Sequence, residues 1–155
     1  MNENDLIKKT LETSKTIAMV GVSSIKKEVP TNIRRRPSTI VMKYMQEFGY
    51  KVIPVNPFSA GEKIHGETIV EKLNDIKIPV DIVDVFRPSK ETPKIAEEAV
   101  KIGTKIFWLQ YGIQNNEAKK IVESKNIFYV SNKCIKQEYQ KLFLKVSPVF
   151  PALKN

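Results

Sequence analysis

The chain has 155 residues, 41% of them apolar and 28% charged, which suits one domain burying a core without disulfides or metals and excludes a disordered chain. One cysteine and one histidine exclude an intrachain disulfide and a zinc centre, and no apolar run is long enough to cross a bilayer. The formal charge of +9 admits an anionic partner, while the start MNENDLIKKTLETSK lacks the basic and apolar regions of a signal peptide, so a cytoplasmic protein without membrane attachment is expected.

A first helix is predicted over residues 3–13. The run TIAMVGV at 16–22, β-branched and apolar and ended by small residues, reads as a buried strand. A basic loop follows, with Lys26, Lys27, Arg34, Arg35 and Arg36 among Pro30 and Pro37. Helical spacing of Ile40, Val41, Tyr44, Met45 and Phe48, stopped by Gly49, predicts a helix at 40–48 before a second strand at 51–55. Beyond it the sequence predicts a short helix at 69–73, a strand at 80–86 and a helix at 92–102 bracketed by Pro93 and Gly103. A strand at 106–109, a helix at 117–124, a strand at 127–130 and a helix at 135–143 complete the series.

Five strands alternating with helices predict an α/β, Rossmann-like, doubly wound, mainly parallel sheet with helices on both faces. The predicted domain is residues 1–145, followed by a tail at 146–155. Pro148 and Pro151 keep that tail from extending the last helix, so it packs on the domain or reaches a second copy as a homodimer.

Ligands of such folds bind beyond the carboxyl ends of the strands. After the first strand stand Gly21, Val22, Ser23 and Ser24, where a glycine admits close approach of a phosphate and N–H and hydroxyl groups can donate to it. The full G-x-G-x-x-G fingerprint is absent, which argues against a standard dinucleotide site. After the second strand, Asn56 stands between Pro54 and Pro57 in a stiff turn. After the third come Val85, Phe86 and Arg87, an aromatic and a guanidinium suited to an adenine and a phosphate. The fourth ends in Trp108, Leu109, Gln110, Tyr111 and Gly112, with Trp108 read as core.

The strings IAMVGVSS, RPS at 36–38, GYKVIPVNP at 49–57, PVDIVDVFRP at 79–88, IAEEAVKIGTK at 95–105, WLQYGI at 108–113 and KCIKQEY at 133–139 together resemble the stand-alone CoA-binding domain proteins. These are similar to the nucleotide-binding domain of the succinyl-CoA synthetase α subunit. The resemblance implies a Rossmann-like fold that binds CoA or an acyl-CoA. It implies a diphosphate near Gly21, Val22, Ser23 and Ser24, cationic help from one or more of Lys26, Lys27, Arg34, Arg35 and Arg36, of which Arg36 beside Pro37 and Ser38 best fits the family pattern, and contacts from Asn56, Pro57, Phe86 and Arg87. Val85, Gln110 and Gly112 are further candidates by their place at the strand ends. Two features depart from the family pattern: the basic loop is longer, and Glu138–Tyr139 stands where the family often has a Glu-His pair.

No catalytic set is visible. His65 lies in a loop, Cys134 reads as a small buried hydrophobe, and Asp81 and Asp84 of VDIVDV do not by themselves make a dyad. The expected function is therefore CoA or acyl-CoA binding without chemistry of its own. The alternatives are a nucleotide-sensing regulator or nucleic-acid binder using the basic surface, and a subunit of an acyl-CoA enzyme. The lysines are spread over nearly every predicted helix as solvated faces would be, which disfavours nucleic acid.

Overall fold

A near-continuous apolar run makes the first strand a two-sided element. In β1 (Thr16–Val20) every residue is buried, with Ile17 and Met19 entering one core and Ala18 and Val20 the other. A strand buried on both faces belongs inside a sheet. In the computed structural model, which describes residues 2–23 and 37–144, it pairs in parallel with both β2 (Lys51–Val55) and β5 (Ile82–Val85). Adding β6 (Ile106–Leu109) and β7 (Phe128–Val130) gives the order β2-β1-β5-β6-β7, all parallel. The order reverses between β1 and β5, which makes their carboxyl ends the switch point of a doubly wound sheet.

Helices cover both faces. The helices α1 (Glu3–Thr13), α2 (Pro37–Glu47) and α5 (Ile135–Tyr139) send Ile7, Leu11, Val41, Met42, Met45 and Ile135 into the core beside Met19 and Trp108. On the other face, α3 (Thr92–Ile102) and α4 (Asn116–Glu123) contribute Ala96, Ala99, Ala118 and Val122. Local signals set the helix ends. Asn2 accepts from the Asp5 N–H at 2.8 Å and Asn115 from the Ala118 N–H at 2.9 Å, each satisfying a first-turn donor. The α3 helix has Pro93 in its first turn and stops at Gly103 in the left-handed region (φ 71°), whose N–H returns to the carbonyls of Ala99 and Val100.

The structure departs from the sequence reading between β2 and β5. Residues 69–73 form no α-helix. The chain makes a small antiparallel hairpin of β3 (Lys63–Ile64) and β4 (Glu67–Thr68), and Val70 then bridges in parallel to Val55. A 3₁₀ turn at Leu73–Asp75 follows. Val70 accepts from the Asn56 N–H and donates to the Pro54 carbonyl, both at 2.9 Å, so pairing with the outer strand replaces the local helix. His65 and Gly66 form the hairpin's two-residue turn with φ of 48° and 82°. The His65 Nε2 lies 3.1 Å from the Thr39 carbonyl, a structural role for the chain's one histidine.

Boundaries shift elsewhere too. β1 ends at Val20, β5 spans 82–85, and the last helix becomes π-helical over Gln140–Leu144. Among the described residues no helix is long and apolar enough to cross a membrane, and no cluster of three or more histidine, cysteine or carboxylate side chains could hold a metal. Ser24, Lys26, Arg36 and the tail at 146–155 lie outside the described residues.

Candidate functional site

At the switch point the backbone itself is the first element of the site. The Gly21 N–H donates to the Val55 carbonyl and the Phe86 N–H to the Val20 carbonyl, both at 2.8 Å, which carries the ladder past the strand ends. Gly21 has φ 104°, and a Cβ there would lie 2.7 Å from the Phe86 carbonyl oxygen and 3.1 Å from Arg87 Cδ. Only glycine fits this close approach, and the absent side chain leaves backbone exposed at the mouth of the sheet.

Asn56 joins the turns after β2 and β1. Its Oδ1 accepts from the Phe58 N–H at 2.9 Å, its Nδ2 lies 3.4 Å from Ser23 Oγ, and its carbonyl accepts from the Ser59 N–H at 3.2 Å. This is the self-bonded turn that asparagine favours, stiffened by Pro57. Asn56 is buried and so is Ser59, whereas Phe58 between them is 77% exposed. The turn thus holds an aromatic ring out over the groove.

That groove has a volume of about 470 Å³ and an apolar floor of Val20, Val55 and Ile95, rimmed by Gly21, Asn56, Pro57 and Phe58. Its far wall is one face of α3 and the turn before it, where Arg87, Glu91, Lys94 and Glu98 stand. Arg87 Nε donates to Glu91 Oε1 and Nη2 to Glu91 Oε2, each at 3.0 Å. Of the residues singled out in the sequence, the groove brings together Gly21, Asn56, Pro57 and Arg87.

The others are placed differently. Val22 and Val85 are core side chains with no exposure, and Phe86 packs on the α2 face of the sheet. Gln110 is buried, with its Oε1 accepting from the Ile135 N–H at 3.1 Å, so its side chain holds the start of α5. Gly112 (φ 85°) donates its N–H to Asn132 Oδ1 at 2.7 Å and shapes the turn after β6. Ser38 is buried in the first turn of α2, behind an exposed Pro37. Trp108 is core, with its Nε1 donating to the Lys133 carbonyl at 2.7 Å.

Sequence reasoning passed over Phe58, Lys90, Glu91 and Lys94. The signal for the last two was present: Glu91, Lys94, Ile95 and Glu98 recur at i, i+3, i+4 and i+7, a helical face with an apolar centre.

Two carboxylates of PVDIVDVFRP have opposite electrostatic fates. Asp84 lies in β5 between Met19 and Trp108, is fully buried, and has no hydrogen-bond partner for either oxygen among the described residues. Burial alone pushes its pKa well above the ordinary carboxylate range, which favours the neutral acid over the carboxylate. At Asp81 burial also acts upward, but the N–H groups of Lys15 and Thr16, at 2.8 and 3.1 Å, and the Lys105 ammonium at 3.3 Å outweigh it and lower the pKa.

Residues 15–140 match the family described as the CoA binding domain. The uncharacterized protein YneT of Bacillus subtilis (strain 168) is 39% identical over 130 residues, covering 84% of this chain and 89% of YneT. Among solved structures, cell-free ID.343 from Thermus thermophilus is 36% identical with a TM-score of 0.81, covering 92% of this chain and 100% of its own. The dinucleotide forming acetyl-coenzyme A synthetase 1 of Ca. Korarchaeum cryptofilum, in complex with phosphate and ADP, is similar in fold alone. It has 22% identity and a TM-score of 0.62, over 83% of this chain and 28% of the synthetase.

Proposed function

The chain belongs to the CoA-binding domain family, and from that premise we propose that it binds coenzyme A or an acyl-CoA at the carboxyl ends of the strands, without chemistry of its own. The observation that carries the reading is the bare backbone at Gly21, where the ends of β1 and β5 meet at the switch point beside a groove with an apolar floor. A diphosphate crossing there would meet N–H groups of the turn after β1, and the adenosine half would lie toward β2.

The residue after β2 supports a phosphorylated ribose. Unphosphorylated dinucleotides are held there by a carboxylate that accepts from the ribose hydroxyls, and such a carboxylate would repel the 3′-phosphate of CoA. The neutral Asn56 occupies that place here. A cytoplasmic location and a homodimer assembled through the tail belong to the same reading. Sizing chromatography of a chain lacking 146–155 tests the dimer, and unchanged elution removes it.

Calorimetric titration with CoA, acetyl-CoA, NAD and ATP tests the binding. Selective heat with CoA or acetyl-CoA, weakened about tenfold or more in Asn56→Ala, is the expected result. Equal binding of NAD and CoA, or no binding of either thioester carrier, overturns the reading.

A further inference from the structure

Arg87 is positioned as well as present. A guanidinium offers two forked edges to an oxyanion, one formed by Nε and one Nη, the other by the two Nη groups. Glu91 takes the first edge with both of its oxygens at 3.0 Å. The second edge has no partner among the described residues. The stem of Arg87 runs against the backbone of Gly21, and its head stands in the groove whose opposite rim is the turn after β2.

Glu91 caps α3 by position, yet its side chain makes no capping hydrogen bond and goes to Arg87 instead. An i, i+4 pair with side chains 34% and 40% exposed contributes little to stability. Its effect is on geometry, since one carboxylate holding Nε and Nη2 together fixes the plane of the guanidinium and the direction of the free edge. Lys90 and Lys94 line the same wall and make no ion pair among the described residues, whereas the carboxylates Glu71 and Glu98 also line the groove. The wall that results can attract a compact dianion only where the fork and the lysines meet.

We infer that Glu91 is a positioning residue that aims the free edge of Arg87 at a ribose-linked phosphate, so that this wall recognises the 3′-phosphate of the cofactor and not its diphosphate. The inference rests on the CoA reading and deepens it. The ribose of the adenosine half lies over the end of β2 in doubly wound folds, and the groove spans from that turn to α3. A phosphate on that ribose enters the groove, whereas the diphosphate stays at the turn after β1.

The test is the ratio of affinities for CoA and dephospho-CoA, which lacks only the 3′-phosphate. It is measured for the wild type, Arg87→Ala, Glu91→Ala and the double variant, with thermal melts confirming that each folds. The wild type is expected to prefer CoA by about 10- to 100-fold. Each single variant is expected to bring the two ligands close together, and the double variant to add nothing further, as for two groups acting as a unit. Glu91→Gln, with one acceptor left, is expected to fall between. A merely structural glutamate would shift both affinities and leave the ratio alone.

Equal weakening of both ligands in Arg87→Ala assigns the guanidinium to the diphosphate and overturns the inference. A ratio unchanged or raised in Glu91→Ala overturns the positioning role. A wild type that binds both ligands equally overturns the inference while leaving the CoA reading intact, and one that binds neither overturns both.

Discussion

Replacing Asp84 by asparagine is expected to make the protein progressively more stable relative to wild type as pH rises from about 4. The buried acid keeps its proton in the fold because its pKa is raised, whereas in the unfolded chain it loses the proton near the ordinary value of 3.8. Between those two pKa values the native state therefore binds one proton more than the unfolded state. Stability from this group is fully present below 3.8 and falls as pH rises, by about 1.4 kcal/mol per pH unit for a single proton, until the folded pKa is reached. The site supports the full slope, because the side chain has no exposure and neither oxygen has a donor among the described residues. The amide of the Asp84→Asn variant would keep the shape and polarity without the titration, so other groups cancel in the difference between variant and wild type. Urea denaturation of both proteins at steps from about pH 4 to about pH 8 measures it. Two stability curves that run parallel over this range would refute the argument, since they would mean that Asp84 ionises in the fold as easily as outside it.

Gly21→Ala is expected to cost about 1–3 kcal/mol in the same assay and to abolish CoA binding, because the new methyl would meet the Phe86 carbonyl at a positive φ. Asn115→Ala removes the bond from the Ala118 N–H and the one from Asn115 Nδ2 to the Ser89 carbonyl, and is expected to cost about 1–2 kcal/mol in the same assay. Asp81 works in the opposite sense to Asp84: its lowered pKa gives stability that is present above the ordinary carboxylate value and lost as pH falls through the folded one. Asp81→Asn is thus expected to flatten the acid limb of the stability curve, and an unchanged limb would show that the Lys15, Thr16 and Lys105 contacts do not favour the ionised form.

What the sequence made legible follows the physics of each element. TIAMV could be read as a strand buried on both faces because it contains no polar break, and α3 could be placed by Pro93 and Gly103. The stretch 69–73 misled because its apolar spacing is helical, while its actual partner is the outer edge of β2, far back along the chain. Local pattern cannot register such a pairing. At the site, Gly21, Asn56 and Arg87 were visible as residues following strands. Glu91 was not, since an acid four positions after an arginine looks like any solvated helix pair until both oxygens are seen on one guanidinium edge. Gln110 shows the reverse case: a polar residue at a strand end whose side chain is engaged in holding α5.

The bridge between Val70 and Val55 has a further consequence for how the protein behaves at high concentration. β2 is an outermost strand, and such a strand offers its free backbone groups to any other extended chain. Lys51 and Val55 turn their backbone groups inward to β1, through the Lys51 N–H to the Lys15 carbonyl and the Val55 carbonyl to the Gly21 N–H. The alternate positions face outward. There Pro54 has no N–H to give, its carbonyl is occupied by Val70, and the Asn56 N–H is occupied as well. The edge is closed along its carboxyl half, next to the groove, so intermolecular strand addition has no template there.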